Sequence, residues 1–407
     1  MDASDSGLCA IIRAEECALT YKFSKPERQL IEESKVEPAV GFDINYREIL
    51  SCSSHHLVVR SGDDLAFHLR AHSVAVTTYN QYLKALRKWF IWCERRGISP
   101  TFQNESSPAI VQHITDFVLR GFRDGYGAGH RVRSSTISVT LSGIRHFFVA
   151  AGSDFPCGHP HIRMLLKGIG RLDTPVRHKA PVSIHRLELC LQSLNLARPS
   201  DQALWGVICL AFFFLLRRSE IASLNKGNFA WFALKAEDIA ILDHSGIPTA
   251  TPSAAVSVHI RLVGSKTNQR GEPTQRMLNR SGHQFVCPVF GALCLLQARR
   301  SLPHDIPAAV YLNNEGMPRC VSFANLSKAI QRAAAQSGCN PSSYSAHSLR
   351  AGGATHMYRA GVDTLTIQFH GRWASDTFKQ YTRLCKESVS ALASRIISGS
   401  KHVNNLQ

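Results

Sequence analysis

The stretch Ala346-His347-Ser348-Leu349-Arg350-Ala351-Gly352-Gly353-Ala354-Thr355 is followed at a distance by Phe369-His370-Gly371-Arg372-Trp373-Ala374-Ser375-Asp376-Thr377-Phe378-Lys379-Gln380-Tyr381. His347 and Arg350 stand at i and i+3, so they share one face near the start of a helix predicted over 348–360. A helix start is also a natural anion site. A second helix is predicted over 363–370. Tyr381 follows His347 by 34 residues, far enough for two short helices to fold it back.

Working outward, helices are predicted at 183–195, 201–216, 287–300 and 322–337. Ile239–Leu242 and Ala255–Val263 are β-branched or alternating and read as strands, with 243–254 as a loop. Lys266-Thr267-Asn268-Gln269-Arg270-Gly271 is a turn after the second strand. The region 183–400 therefore reads as mainly α with a small antiparallel β-sheet.

Upstream, 62–171 is helical throughout. One helix is capped by Thr77 or Thr78 and runs to Arg96, with Tyr79, Tyr82, Leu86, Trp89 and Phe90 on one face. Others span 108–123, 134–150 and 161–169, giving a small all-α bundle. Residues 172–182 hold two prolines and three basic positions and read as a linker. Residues 1–61 have weak periodicity and read as an accessory or poorly ordered tail.

Composition narrows the function. The 407-residue chain carries 47 Lys and Arg against 30 Asp and Glu, a net charge of +17. Residues 1–60 hold 10 acids and 7 bases, whereas residues 61–407 hold 20 acids and 40 bases. Such a field favours a polyanion partner. No apolar run approaches the length that spans a bilayer, so no membrane partner is expected. No basic leader with an apolar core is visible at the N-terminus. Twelve cysteines include no Cys-x-x-Cys pair, and most sit in apolar stretches, so reduced thiols are expected. Cys157-Gly158-His159-Pro160-His161 fits no zinc spacing and reads as a loop.

A third segment, Phe213-Phe214-Leu215-Leu216-Arg217-Arg218-Ser219-Glu220, ends an apolar helix on two arginines, and Glu220 is placed to orient Arg217. Arg218 is the alternative to Arg217; the Arg-x-Ser-Glu register favours Arg217. Each segment alone reads as ordinary surface. The order Arg217, Lys266, His347-x-x-Arg350, Gly-Arg-Trp, Tyr381 resembles the tyrosine recombinase (phage-integrase) family. The form of the last two motifs is similar to recombinases of eukaryotic mobile elements of the DIRS-like and Crypton types. The likeness covers about 62–400, and Thr77-Thr78-Tyr79-Asn80-Gln81-Tyr82 looks like the start of that family's core-binding domain.

The resemblance implies an all-α core-binding domain and a mixed α+β catalytic domain that cut and rejoin double-stranded DNA, with assembly as a homotetramer on DNA. Tyr381 is then the nucleophile that forms a 3′-phosphotyrosyl link. His347 is the base or a phosphate contact. Arg217 and Arg350 clamp the non-bridging oxygens, a task suited to planar guanidinium. Lys266 protonates the leaving 5′-oxygen. Glu220 and Arg372 support from behind. The family usually has His or Trp directly after its glycine; here that place is Arg372, with Trp373 next and His370 before, and Trp373 is the choice. Where the family often has glycine two residues before its first arginine, this chain has Leu215. No cofactor and no metal are implied. Lys84, Lys88, Arg131, Arg133, Arg145 and Arg270 are the basic residues expected to meet DNA. A nuclear location follows for a eukaryotic host, a cytoplasmic one otherwise. A recombinase-derived DNA-binding protein without catalysis, and a type IB topoisomerase, are the competing readings. The amphipathic segment 384–397 is expected to dock on a neighbouring copy.

Overall fold

The structure is a computed structural model and describes residues 2–4, 7–9, 20–22, 73–102, 105–175, 178–224, 227–265, 268, 272–380 and 394. The chain divides into two compact units, Met1–Pro175 and Val176–Gln407. No helix among the described residues is long and apolar enough to cross a membrane.

The first unit opens on three short antiparallel strands, β1 (Asp2–Ser4), β2 (Gly7–Cys9) and β3 (Thr20–Lys22). Four helices follow: α1 (Val76–Glu94), α2 (Ser107–Asp124), α3 (Ser134–Ala150) and α4 (Pro160–Leu172). The starts of α2 and α4 are chemically marked, whereas α1 begins at Val76 after Ala75 with no side-chain cap, not at Thr77 or Thr78. The Ser106 hydroxyl accepts from the Ala109 N–H ahead of α2, and Pro160, which has no N–H to waste, begins α4. Trp89 is the centre of the core. Its indole N–H donates to the Pro100 carbonyl at 2.9 Å, and its ring meets Trp92, Phe102, Phe117 and Phe155. The aromatic stripe of α1 is thus core: Trp89 and Leu86 are buried.

The second unit begins with α5 (Ile184–Gln192), the apolar α6 (Pro199–Phe213) and the single-turn α7 (Arg218–Ile221). A three-stranded antiparallel sheet follows, in the order β4 (Ile239–Leu242), β5 (Ser257–Leu262), β6 (Thr274–Asn279). Then come α8 (Pro288–Gln297), the hairpin β7 (Val310–Leu312) and β8 (Pro318–Cys320), α9 (Phe323–Gln336), α10 (His347–Arg359) and α11 (Thr364–Gly371). A 3-10 turn, Asp376–Gln380, comes last. The unit is mainly helical with a small antiparallel sheet. β6 and the β7–β8 hairpin are additions to the two strands expected from sequence.

The core is built around α6, whose residues from Trp205 to Phe212 are all buried. α10 packs on it through small residues. A Cβ added at Gly353 would run into the Phe212 carbonyl and Leu215, and one at Gly352 into the Val182 carbonyl. The Ala-Gly-Gly-Ala run exists because backbone meets backbone there.

Candidate active site

The end of α6 turns sharply. Leu215 has φ +50°, in the left-handed region that leucine seldom adopts, and its side chain is fully buried. This turn aims the Leu215 carbonyl at two arginines from elsewhere in the chain. Arg350 Nη1 donates to it in a short contact, and Arg372 Nη2 lies 3.5 Å from it.

Arg217 follows the turn. Its backbone N–H donates to Glu220 Oε2 at 2.7 Å, and its Nη1 donates to Glu220 Oε1 at 2.9 Å. Glu220 has no exposed surface, while the Arg217 side chain keeps 20% of its own. Arg372 Nη2 donates to Glu220 Oε2 at 2.9 Å. One buried carboxylate therefore holds two guanidiniums, the arrangement that makes a buried charge tolerable. Arg218 is exposed and lies over the Phe323 ring, 5.0 Å from its centroid, so of the adjacent pair it is Arg217 that joins Glu220.

Arg350 sits deeper than an exposed clamp would. It is 2% exposed, and its Nη2 donates to the Gly371 carbonyl at 2.6 Å. The i, i+3 spacing to His347 does not give the two residues the same environment. His347 is exposed at the start of α10, whereas Arg350 lies under the Trp373 ring, 4.1 Å from its centroid. Crowding around His347, and then the charges of Arg350 and Arg218, hold its pKa below the usual histidine range of 6.5, leaving it neutral at pH 7.

The segment after α10 closes the cluster. Trp373 is 8% exposed and packs with Leu215, Ala354, Ile367 and Phe378. Its ring occupies the space a side chain at Gly371 would need. Arg372 takes the left-handed conformation that ends α11, with φ +57°. His370 Nε2 lies 2.8 Å from the Phe213 carbonyl; a carbonyl only accepts, so Nε2 carries the hydrogen. Burial, then the charges of Arg276, Arg372 and Arg350, lower the His370 pKa, while the bond to Phe213 works in the other direction.

The sequence marks Arg276 only as one of the basic residues of 261–280 expected to meet DNA. From β6 its Nη2 donates to the Phe369 carbonyl at 2.6 Å, tying the sheet to the end of α11. The β5–β6 connection carries Lys266. Its base is set by Ser265 and Asn268, which exchange two hydrogen bonds, and by Trp231, whose ring lies against Gly264. Lys266, Arg270, Tyr381 and almost all of 384–397 lie outside the described residues. Tyr381 follows the 3-10 turn directly.

In the first unit, Lys84, Lys88 and Arg145 are exposed, and Lys88 lies 5.3 Å from the Tyr126 ring centroid. Arg131 and Arg133 have structural partners. Arg131 donates to the Leu172 carbonyl, and Arg133 forks onto Thr174 and the Pro175 carbonyl, bracing the end of the unit. His159, from the Cys-Gly-His-Pro-His stretch, accepts from the His161 N–H at the start of α4. Among the described residues no group of three or more His, Cys, Asp or Glu is placed to hold a metal ion.

No family model matches the chain, and no curated protein matches it. Solved structures do. A XerH site-specific recombinase bound to palindromic difH substrate, a post-cleavage complex, is 16% identical with a TM-score of 0.49 over 78% of each chain. A lambda integrase dimer bound to a COC′ core site is 15% identical with a TM-score of 0.43 over 89% of each chain. The Tn1549 transposon integrase in complex with circular intermediate DNA is 14% identical with a TM-score of 0.40, over 75% of this chain and 98% of that one.

Proposed function

We propose that the chain is a site-specific DNA recombinase or integrase that breaks and rejoins double-stranded DNA through a phosphotyrosyl link on Tyr381. One observation carries the reading. The turn that carries Arg217 meets Arg350 and Arg372, both more than a hundred residues further along the chain, at the Leu215 carbonyl and the Glu220 carboxylate. Three guanidiniums on one short turn, a neutral histidine beside them and a tyrosine next in the chain suit a phosphodiester centre.

The proposed step is an in-line displacement. The Tyr381 oxygen attacks phosphorus, a new O–P bond forms and the bond to the 5′-oxygen breaks. A phenol titrates near 10, so its proton needs a base, and His347, with its pKa held below 6.5, takes that role in this reading. Lys266 returns a proton to the leaving 5′-oxygen. Arg217, with its exposed edge, meets a non-bridging oxygen. Arg350 acts from beneath, setting the Leu215 and Gly371 carbonyls and adding its field. The ester bond is kept in the phosphotyrosyl link, so resealing consumes no nucleotide. The exposed bases Lys84, Lys88 and Arg145 and the net charge of +17 suit phosphate-backbone contact. Mobile-element integration or excision, assembly as a tetramer on DNA, and a nuclear site of action in a eukaryotic host belong to the same reading.

The test is a covalent-adduct assay. Wild type and Tyr381→Phe are incubated with nicked duplexes from the ends of the element that encodes the chain, then run on a denaturing gel. An adduct in wild type alone supports the reading. An adduct in both moves the nucleophile elsewhere. Tight, salt-sensitive binding with no adduct in either favours a DNA-binding protein without catalysis.

A further inference from the structure

We infer that His370 is a positioning residue: through its bond to the Phe213 carbonyl it sets the register in which the end of α11 lies against the turn that carries Arg217. The inference rests on the phosphodiester reading of the site. Two contacts fix that register. His370 Nε2 donates to the Phe213 carbonyl at 2.8 Å, and Arg372 Nη2 lies 3.5 Å from the Leu215 carbonyl. Each joins residues 157 apart in the chain, so 370–372 advances in step with 213–215. The second contact is at the limit of a hydrogen bond, which leaves His370 the stronger rung.

What the register sets is the shared carboxylate. Arg217 lies two residues beyond Leu215, and Glu220 takes Arg217 Nη1 and Arg372 Nη2, each at 2.9 Å. A slip of the end of α11 along the turn would draw Arg372 off Glu220, and Glu220 is what holds Arg217 in place.

The chemistry of the spot explains why the rung is a histidine. Phe213 ends α6, where helical carbonyls run out of partners, so a donor must come from elsewhere. Arg276, Arg350 and Arg372 already crowd the place, on the Phe369 carbonyl, the Gly371 carbonyl and Glu220. Another cation among them would be repelled. A neutral imidazole donates without adding charge, and the carbonyl fixes its hydrogen on Nε2. The ring is also seated against Phe214, 6.3 Å between centroids and 24° from parallel, which limits its swing.

The test separates rate from binding. Tyr381 adduct formation is timed at saturating nicked duplex, and DNA affinity is measured apart from it. His370→Leu should slow the adduct about a hundredfold and leave affinity unchanged. His370→Gln, whose amide donates to the same carbonyl, should recover most of the rate. In urea unfolding, His370→Leu/Arg372→Gln should lose less than the two single variants combined, because one acts through the other. ¹⁵N-histidine spectra of the wild type should show His370, assigned by its loss in His370→Gln, as the Nε2–H tautomer at pH 7, a readout that no misfolded variant can blunt. The inference is overturned by the Nδ1–H tautomer, by additive unfolding losses, by rate and affinity falling together, or by His370→Gln as slow as His370→Leu. A wild-type adduct rate in His370→Leu removes this role and keeps the recombinase. No adduct in the wild type removes the recombinase and with it the catalytic role, while the tautomer and the unfolding pair still report the register without DNA.

Discussion

The guanidinium of Arg350 lies 4.1 Å from the centroid of the Trp373 ring, and neither residue has more than 8% of its surface exposed. The ring covers a face of the guanidinium, whose edges donate to the Leu215 and Gly371 carbonyls. Trp373→Ala removes both the packing and the cover, and should cost about 3–5 kcal/mol of stability. Trp373→Phe keeps a π face and should lose less than half of that. Urea unfolding of both variants checks the order; equal losses would mean that Arg350 does not need a ring above it.

Glu220 is fully buried and holds Arg217 and Arg372 together. Glu220→Gln leaves the two guanidiniums it holds, Arg372 nearly buried and Arg217 partly exposed, short of their counter-charge, and the expected loss is about 3–5 kcal/mol. The double variant Glu220→Gln/Arg372→Gln should lose less than the two single variants combined, because the pair is coupled. Strict additivity in denaturant unfolding would contradict the pairing.

Replacing a glycine inside a helix by alanine ordinarily stabilises by about 1 kcal/mol. At Gly353 the sign should reverse. The new Cβ meets the Phe212 carbonyl, which is backbone and cannot step aside. A loss of about 1–3 kcal/mol is expected, read as a lower Tm. A raised Tm would show that α10 can move away from α6 at no cost.

His356 and His370 both titrate below 6.5 in the folded chain, chiefly through burial. As pH falls, the unfolded chain therefore binds protons first. The stability these residues contribute is complete above pH 6.5 and is lost as the pH drops from there toward their folded values. His356, which rests against the Phe212 ring, isolates the effect. His356→Gln should flatten the fall in urea midpoint between pH 7 and pH 5, and an unchanged slope would remove His356 from the account.

The helices were legible chiefly from their period; the one expected to start near Ser134 and Ser135 and to run to Ala150 is α3 (Ser134–Ala150), whereas α1 starts at Val76 after Ala75 and not at a Thr77 or Thr78 cap. Ile239–Leu242 was legible for its β-branched, apolar run. β6 was not. Thr-Gln-Arg-Met-Leu-Asn is a half-solvated edge strand that β5 defines by pairing, and its composition alone says little. The Arg217–Glu220 pairing could be read from three-residue spacing, but its sharing with Arg372 spans 152 residues and has no local signal. The same holds for Arg350. Helical spacing put it beside His347, whereas the depth of the Leu215 turn sets where its side chain goes.

That turn also restricts how the sequence can drift. Position 215 asks its backbone for glycine and its side chain for a large apolar plug. Glycine would relieve roughly 1–2 kcal/mol of backbone strain but would empty a site whose leucine is worth about 2–5 kcal/mol. Asparagine would accept the backbone and bury an amide with nothing promised to it. Leucine is the compromise that keeps the carbonyl aimed at Arg350. Its side chain in turn fills the space that Gly353, having none, leaves open.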